Sequence, residues 1–255
     1  MCRHAGFIGL PQPIANLFDG AHGLTHQSYG AKELRTGVVC ADGFGVGWYD
    51  QSVSPEPARY ANPAPVWSDT NLPSIGRLAH ARCAIAAVRN ATVAGQNTQA
   101  NCAPFSSGRY LFSLNGYLED FPKWRPFLAE LCGHRSEQIR GDTDGEWLFQ
   151  ALLSILDQME PEPGALAQGV LQLIRFARDE ATRLGVDVQL NILVTDGRQI
   201  VASRFGLDGC NSLYSKGGET AWAASEPFDS EFVEVPVNSV IVLHGGAPRV
   251  LLRIS

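Results

Sequence analysis

The stretch DGEWLFQALLSILDQMEPEPGALAQGVLQLIRFARDEATRL, residues 144–184, decides the fold class of this chain. Apolar residues recur every three to four positions in two parts of it, and this spacing places them on one face of a helix. We therefore predict a helix over Asp144–Met159, which Pro161 ends. A second helix is predicted over Gly164–Leu184, which Gly185 ends. The apolar positions are Trp147, Leu148, Ala151, Leu152, Ile155 and Leu156 in the first helix, and Leu166, Val170, Leu173, Ile174, Ala177 and Ala181 in the second.

Strand-like segments lie on both sides of this helix pair, and Thr195-Asp196-Gly197 between two of them is typical of a hairpin. A further helix over Phe121–Leu131 contains Pro126, which implies a kink or a later start. Strands, then helices, then strands predict an α+β sandwich, with helices on the outer faces of mostly antiparallel sheets. The irregular segment Ser52–Pro73 is predicted to be a surface loop near a site. The predicted strands are Gly37–Tyr49, Ala84–Arg89, Tyr110–Asn115, Gln189–Thr195, Gln199–Phe205, Thr220–Ser225, Ser239–Leu243 and Val250–Ile254.

Composition excludes several classes of protein. The chain has 255 residues, 45% hydrophobic and 18% charged, which suffices for one large folded domain or two small ones and argues against disorder. A net charge of −6 without a Lys/Arg run leaves no footprint for nucleic acid or an anionic membrane, so neither is an expected partner. No run of about 18 apolar residues and no secretory signal peptide are present, so we expect a cytoplasmic protein.

The six cysteines include no C-x-x-C pair, and the six histidines add no metal-ligand spacing. We therefore expect no disulfide framework, no metal and no cofactor, and we expect most of the thiols to pack as small core residues. Cys2 differs by position, because removal of Met1 would leave it with a free α-amine beside its thiol. An α-amine has a pKa of about 7.7–8.0, so it can take the thiol proton. The alternative is that a cysteine stands second by chance.

Other residues would complete an acyl-transfer site around such a nucleophile. Asn115-Gly116 can direct a side-chain amide and a backbone N–H at one oxygen, as an oxyanion hole requires, although Asn-Gly is also a common turn. Arg89 can hold a carboxylate through two hydrogen bonds, or form a structural salt bridge. Asp144 can bind an ammonium group, whereas in the simpler interpretation it or Thr143 caps the helix that follows.

Five short motifs follow one another along the chain: Met1-Cys2, ADGFGVGWY (Ala41–Tyr49), AAVRNAT (Ala86–Thr92), SLNG (Ser113–Gly116) and TDGE (Thr143–Glu146). In this order they resemble the class II glutamine amidotransferase-like family of N-terminal nucleophile hydrolases, over at least Cys2–Phe149. The resemblance implies a four-layer αββα sandwich of two mostly antiparallel sheets. It also implies a single domain over residues 2–255 after loss of Met1, with no fused synthase domain.

Carried over to these positions, the resemblance implies a division of roles. Cys2 is the nucleophile and its α-amine is the general base. Asn115 and the Gly116 N–H form the oxyanion hole. Arg89 binds the α-carboxylate of a γ-glutamyl group, and Asp144 binds its α-ammonium. The implied reaction is hydrolysis of a γ-glutamyl amide through a thioester, so a small-molecule substrate is the expected partner, and a homo-oligomer stays open.

Within that family, MCRH, ADGFGVGWY, HQS (His26–Ser28) and ASEPFD (Ala224–Asp229) resemble the hydrolases of ergothioneine biosynthesis, which cleave γ-glutamyl-hercynylcysteine S-oxide. Two residues depart from the pattern. Leu114 stands where many amidotransferases have His, and Cys40 stands where the ergothioneine enzymes have Asn.

Two alternatives remain at this point. One is a free-standing glutaminase or amidotransferase subunit that supplies ammonia to a partner protein. The other is a binding module without activity, which the intact set of site residues disfavours. The leaving group separates the enzymatic hypotheses, because a trimethylammonium group binds to aromatic faces. The aromatic candidates for this contact are Trp48, Tyr49, Trp67 and Trp222, each of which can instead be a packing residue.

Overall fold

The structure is a computed structural model that describes residues 2–33, 39–91, 97–246 and 250–254. Its strands are β1 Arg3–Pro13, β2 Phe44–Trp48, β3 Ala58–Asn62, β4 His80–Val88, β5 Phe105–Ser107, β6 Tyr110–Leu118, β7 Val188–Thr195, β8 Ile200–Arg204, β9 Tyr214–Lys216, β10 Ala221–Ala224, β11 Val233–Glu234, β12 Ser239–Leu243 and β13 Val250–Arg253. Within the described residues they form two sheets in which paired strands are antiparallel. The first sheet has the order β11-β9-β10-β1-β4-β2-β3, and the second has the order β13-β12-β8-β7-β6-β5.

Helices cover the outer face of each sheet. They are α1 Leu24–Gly30, α2 Leu72–Leu78, α3 Arg125–Cys132, α4 Asp144–Asp157 and α5 Ala165–Leu184. One buried apolar cluster joins α3, α4 and α5 to the second sheet, and another joins α1 and α2 to the first sheet. A third cluster, with Ile85 and Leu193 among its members, lies between the sheets. These clusters separate four layers, so the predicted α+β sandwich of the αββα type is confirmed.

The predicted helices are confirmed, and local capping explains where they begin and end. The Thr143 hydroxyl accepts a hydrogen bond from Glu146 N–H at the start of α4. Gly185 ends α5 in the left-handed conformation (φ 68°), as glycine commonly does at this position. Of the two options for Phe121–Leu131, the later start is correct, because a short 3-10 turn precedes α3 and Pro126 lies in the first helical turn.

Strand predictions are confirmed where an apolar segment is bounded by turns, including the hairpin that joins β7 to β8. The prediction for Ser52–Pro73 is wrong in part, since this segment contains β3. β1 was not predicted at all. Its residues Arg3–Ile8 are buried, so this stretch lacks the alternation of polar and apolar residues that marks a half-exposed strand. The other elements that the sequence analysis missed are β5, β9, β11, α1 and α2.

Some of the predictions extend beyond what the structure describes. Gly37 and Val38 at the start of one predicted strand, and Thr92 at the end of one motif, lie outside the described residues. That a single domain spans residues 2–255 stays a prediction. Within the described ranges, each helix is too short or too polar to span a lipid bilayer.

Candidate active site

A cavity of about 490 Å³ lies where β1, β4 and β6 meet the start of α4. Its lining includes Cys2, Arg89, Gly116 and Asp144, which are far apart in sequence. The fold therefore brings these predicted site residues together. Asn115, the remaining predicted residue, is fully buried beside Gly116 in β6.

Cys2 lies directly before β1, at the end of the first sheet. Because Arg3 pairs with Val88 in β4, the register places Cys2 next to Arg89. Cys2 is half-buried, and its thiol makes a long contact of 3.9 Å to the Asn90 carbonyl oxygen. The first strand thus presents the thiol to the cavity from a fixed backbone position.

Most of the other cysteines lie in packed surroundings. Burial raises the pKa of the Cys40, Cys83 and Cys132 thiols to about 12, and burial also raises the pKa of Cys102. A thiol must ionise to act as a nucleophile, so these groups are unreactive near neutral pH. This supports the interpretation that they are packing residues and that Cys2 is the candidate nucleophile.

Arg89 forms part of the cavity wall and is 8% exposed. Its backbone is paired with the chain before β2, through Arg89 N–H to Gly43 O (2.7 Å) and Asp42 N–H to Arg89 O (3.0 Å). Its guanidinium donates to the Asp42 carbonyl oxygen (3.2 Å). These bonds orient the side chain, so its positive charge lies in a defined part of a small cavity.

Asp144 lies in the first turn of α4, where the helix dipole favours a negative charge. One carboxylate oxygen accepts from Leu118 N–H (2.9 Å) and the other from Gly145 N–H (2.8 Å). Burial raises the pKa of Asp144, while these two N–H groups and the charge of Arg89 oppose that rise. Thr143 is the helix cap, so the carboxylate of Asp144 is not needed for capping.

The Gly116 N–H points away from β7, toward the other edge of β6. N–H groups alternate between the two edges of a strand, so Gly116 shares an edge with Leu118, whose N–H binds Asp144. β5 covers this edge only as far as Phe112. The backbone of β6 therefore presents its Gly116 N–H at the cavity, where the resemblance expects an oxyanion donor.

Asn115 uses its amide inside the protein. Its Nδ2 donates to Ser225 Oγ (3.2 Å), and its Oδ1 accepts from Asn211 Nδ2 (3.2 Å). An amide nitrogen carries two hydrogens, so one is committed to Ser225 and the second can serve an oxyanion. The role of Asn115 as an oxyanion donor stays a prediction.

Gly116→Ala is expected to destabilise the protein strongly. A Cβ at this position would lie 1.9 Å from the Gln189 carbonyl oxygen in β7, a backbone atom that cannot move without disrupting the sheet. Overpacking of this kind costs about 1–3 kcal/mol or more. Urea unfolding measures the change. Gly217→Ala is the control for removing a glycine, since no atom lies within 4 Å of the corresponding Cβ and its backbone lies outside the left-handed region. A wild-type midpoint for Gly116→Ala would contradict the close approach.

The four aromatic residues that were candidates for contact with the leaving group do not line the described part of the cavity. Tyr49 is buried with its hydroxyl on the Thr195 and Arg109 carbonyl oxygens, and Trp222 packs against Phe7. Trp48 packs against the outer core of the first sheet, and Trp67 contacts Tyr29 at the surface. The aromatic residues that do line the cavity are Phe105, Tyr117 and Phe121.

The ASEPFD stretch contacts β1 next to Cys2. The sequence analysis did not assign it this structural role. Glu226 lies 3.6 Å from the guanidinium of Arg3, which is 1% exposed, and so balances a buried charge beside Cys2. His4 is fully buried, and this burial lowers its pKa to about 3, so its ring is neutral. The motif itself was visible in the sequence, but its contact with β1 depends on sheet pairing.

A model of one protein family, described as glutamine amidotransferases class-II, matches residues 20–207, which is well over half of the chain. The chain belongs to this family. The N-terminal nucleophile hydrolase resemblance given by the motifs is thereby confirmed, although the match begins after Cys2 and ends before Asn211.

Several named relatives share most of the chain. A protein of Mycobacterium tuberculosis named gamma-glutamyl-hercynylcysteine sulfoxide hydrolase is 30% identical over 91% of this chain and 87% of its own. The protein of that name from Mycolicibacterium smegmatis is 29% identical over 91% and 89%. A probable glutamine amidotransferase of Saccharomyces cerevisiae is 28% identical over 95% and 82%. The expectation that the chain is an amide hydrolase agrees with these relatives and with the family.

Solved structures share the fold. A class-II domain protein from Silicibacter pomeroyi superposes over all of both chains with a TM-score of 0.69 at 24% identity. The glutamine phosphoribosylpyrophosphate amidotransferase of Bacillus subtilis covers all of this chain with 49% of its own, at a TM-score of 0.68 and 17% identity. At these identities the likeness concerns the fold alone.

Proposed function

We propose that this protein hydrolyses a γ-glutamyl amide through a thioester on Cys2. One observation carries the proposal. A single cavity is lined by Cys2, by Gly116 with its backbone N–H, and by the oppositely charged pair Arg89 and Asp144. Each group matches one need of acyl transfer to a thiol from a substrate that bears both an ammonium and a carboxylate.

The chemistry follows from these groups. The α-amine of Cys2, freed by removal of Met1, takes the thiol proton. The thiolate attacks the γ-carbonyl carbon, and the carbonyl oxygen becomes an oxyanion held by Gly116 N–H and the Asn115 amide. The intermediate collapses as the C–N bond breaks, and the proton passes from the α-ammonium to the leaving amine. Water then attacks the thioester, which releases glutamate and restores the thiol.

Arg89 and Asp144 select the γ-glutamyl group. A γ-glutamyl group ends in an α-carboxylate and an α-ammonium on a short stem. A guanidinium and a carboxylate that line the same cavity can recognise this pair and so fix the position of the reacting carbonyl. Binding through these groups holds the γ-carbonyl beside Cys2.

For the leaving group we favour hercynylcysteine S-oxide. The relatives from two mycobacterial species carry that substrate in their names. The cavity of about 490 Å³ lies in the size range of sites for drug-sized ligands and exceeds what one amino acid requires. Three acidic residues, Glu119, Asp120 and Asp142, also line it together with one further cation, Arg125, and this excess of negative charge favours a trimethylammonium group.

A side-by-side assay of γ-glutamyl-hercynylcysteine S-oxide and glutamine tests this proposal. We expect kcat/KM for the first to exceed that for glutamine by about a hundredfold or more, since its leaving group fills space that ammonia leaves empty. Equal values, or a preference for glutamine, would favour a subunit that supplies ammonia, as the name of the yeast relative suggests. No turnover of either compound would contradict γ-glutamyl hydrolysis.

A further inference from the structure

A buried polar network lies behind the cavity, between the two sheets. Asn115, Asn211 and Ser225 are each at most 1% exposed, and the side chain of Asn115 is hydrogen-bonded to those of the other two. Buried polar groups keep a fixed geometry because each lost partner costs free energy. Asn211 and Ser225 both lie after residue 207, beyond the segment that the family model matches.

Asn211 determines which way the Asn115 amide faces. Asn211 Nδ2 donates to both oxygens of Asn115, the backbone O (3.1 Å) and the side-chain Oδ1 (3.2 Å). Rotation of the Asn115 amide by 180° would replace Oδ1 with an NH₂ group and set donor against donor. The contact therefore holds Oδ1 on the Asn211 side and Nδ2 on the opposite side.

Ser225 holds the nitrogen end of the same amide and joins it to the nucleophile strand. Its Oγ accepts from Asn115 Nδ2 (3.2 Å) and from His4 N–H (3.0 Å). Ser225 N–H in turn donates to the His4 carbonyl oxygen (2.9 Å). His4 lies two residues after Cys2 in the first sheet, whereas Asn115 belongs to the second sheet. One hydroxyl thus joins the strand that follows Cys2 to the side-chain amide of Asn115.

The backbone that carries Asn211 is itself fixed. Its carbonyl oxygen accepts from Asn191 Nδ2 (3.1 Å) and from Arg204 Nε (3.1 Å). Neither bond uses the Asn211 side chain. A substitution of that side chain therefore removes the contact to Asn115 while these two bonds keep the local backbone in place.

We propose that Asn211 and Ser225 are positioning residues that lock the Asn115 amide, so that its second N–H meets the oxyanion formed on Cys2 attack. The proposal rests on the proposed γ-glutamyl hydrolysis and assigns two residues that act through Asn115 without touching substrate. It also gives the ASEPFD stretch a role in catalysis, since Ser225 belongs to it. An oxyanion donor in the wrong orientation lowers the rate of the chemical step and leaves substrate binding unchanged.

The experiment compares Asn211→Ala and Ser225→Ala with Ser203→Ala as a matched control. Ser203 is also fully buried and also both accepts and donates, from Ile192 N–H (3.0 Å) and to Leu190 O (2.7 Å), but it lies in β8 away from the cavity. Each variant is assayed for kcat and KM with the better γ-glutamyl substrate. The side-chain amide signals of Asn115 are recorded by NMR on protein labelled with 15N-asparagine, and Asn115→Asp identifies them by their loss.

We expect kcat to fall by about tenfold to a hundredfold in both test variants, with KM within about twofold of wild type. The control should keep its kcat although it loses stability. The Asn115 amide signals should shift or broaden in both test variants and stay in place in the control. An equal fall of kcat in Ser203→Ala, a rise of KM in place of a fall of kcat, or unmoved Asn115 signals would overturn the proposal. If the wild type cleaves no γ-glutamyl amide, the proposed function fails, and the amide signals alone still decide whether these residues orient Asn115.

Discussion

Cys2→Ala is expected to abolish γ-glutamyl hydrolysis, with a loss of about 10⁴-fold or more in kcat. Removal of the nucleophile ends covalent catalysis, because no other thiol lines the described part of the cavity. The fold should be unaffected. Cys2 is half-buried, and its thiol makes only a contact of 3.9 Å, so the free energy of unfolding should change by less than about 1 kcal/mol.

Cys210→Ala is the matched control, since Cys210 is also half-buried but lies outside the cavity lining. It should keep wild-type activity. Intact-mass spectrometry on protein quenched during turnover should show one added γ-glutamyl group in the wild type and in Cys210→Ala, and none in Cys2→Ala. The same spectra should show that Met1 is absent. Turnover by Cys2→Ala, or full activity in protein that retains Met1, would contradict the mechanism.

Residues that define local patterns could be predicted from the sequence, whereas those that act across the sheets could not. Helices α4 and α5 follow from apolar spacing and from Gly185, because these features depend on the neighbouring residues alone. The cavity residues Cys2, Arg89 and Asp144 were found through motifs whose chemistry is specific to single positions.

Contacts that form when distant strands pair leave no local pattern in the sequence, so they could not be predicted from it. Ser225 meets Asn115 only because β10 pairs with β1 and the two sheets stack face to face. The aromatic residues that line the cavity could not be predicted for a related reason. A sequence shows that Tyr49 and Trp222 are aromatic, but burial decides whether a ring lines a cavity or packs in a core. β1 could not be predicted because Arg3–Ile8 are all buried, so polar and apolar residues do not alternate along the strand.

Asp144→Asn is expected to raise KM by about a hundredfold, which corresponds to about 3 kcal/mol, with a smaller change in kcat. The variant removes the charge that meets the α-ammonium of the substrate. Asp179→Asn, at an exposed position on α5, is the control and should leave KM unchanged. A glutaryl amide, which lacks the α-amine, sharpens the test. Its KM should be the same in wild type and Asp144→Asn. If KM rises alike for both substrates, the role of Asp144 is structural.

The stability of the wild type is expected to depend on pH differently from that of Asp144→Asn, because the pKa of Asp144 is raised in the folded protein. In the folded protein this carboxyl binds its proton more tightly than in the unfolded chain, where the pKa is about 3.9. As pH rises from that value through the raised pKa, the unfolded state loses its proton first, so the stability that the neutral carboxyl contributes is lost. Urea titrations should therefore show the unfolding free energy of wild type falling relative to Asp144→Asn as pH increases across this window.

Over the same pH window the KM of the wild type should fall, because the ionised carboxylate is the form that binds an ammonium. A substrate bound beside Arg89 brings that ammonium into the cavity, and its charge lowers the pKa of Asp144 again. Binding thus adds a second positive charge to that of Arg89 near the carboxylate, so the carboxylate is stabilised when substrate is present.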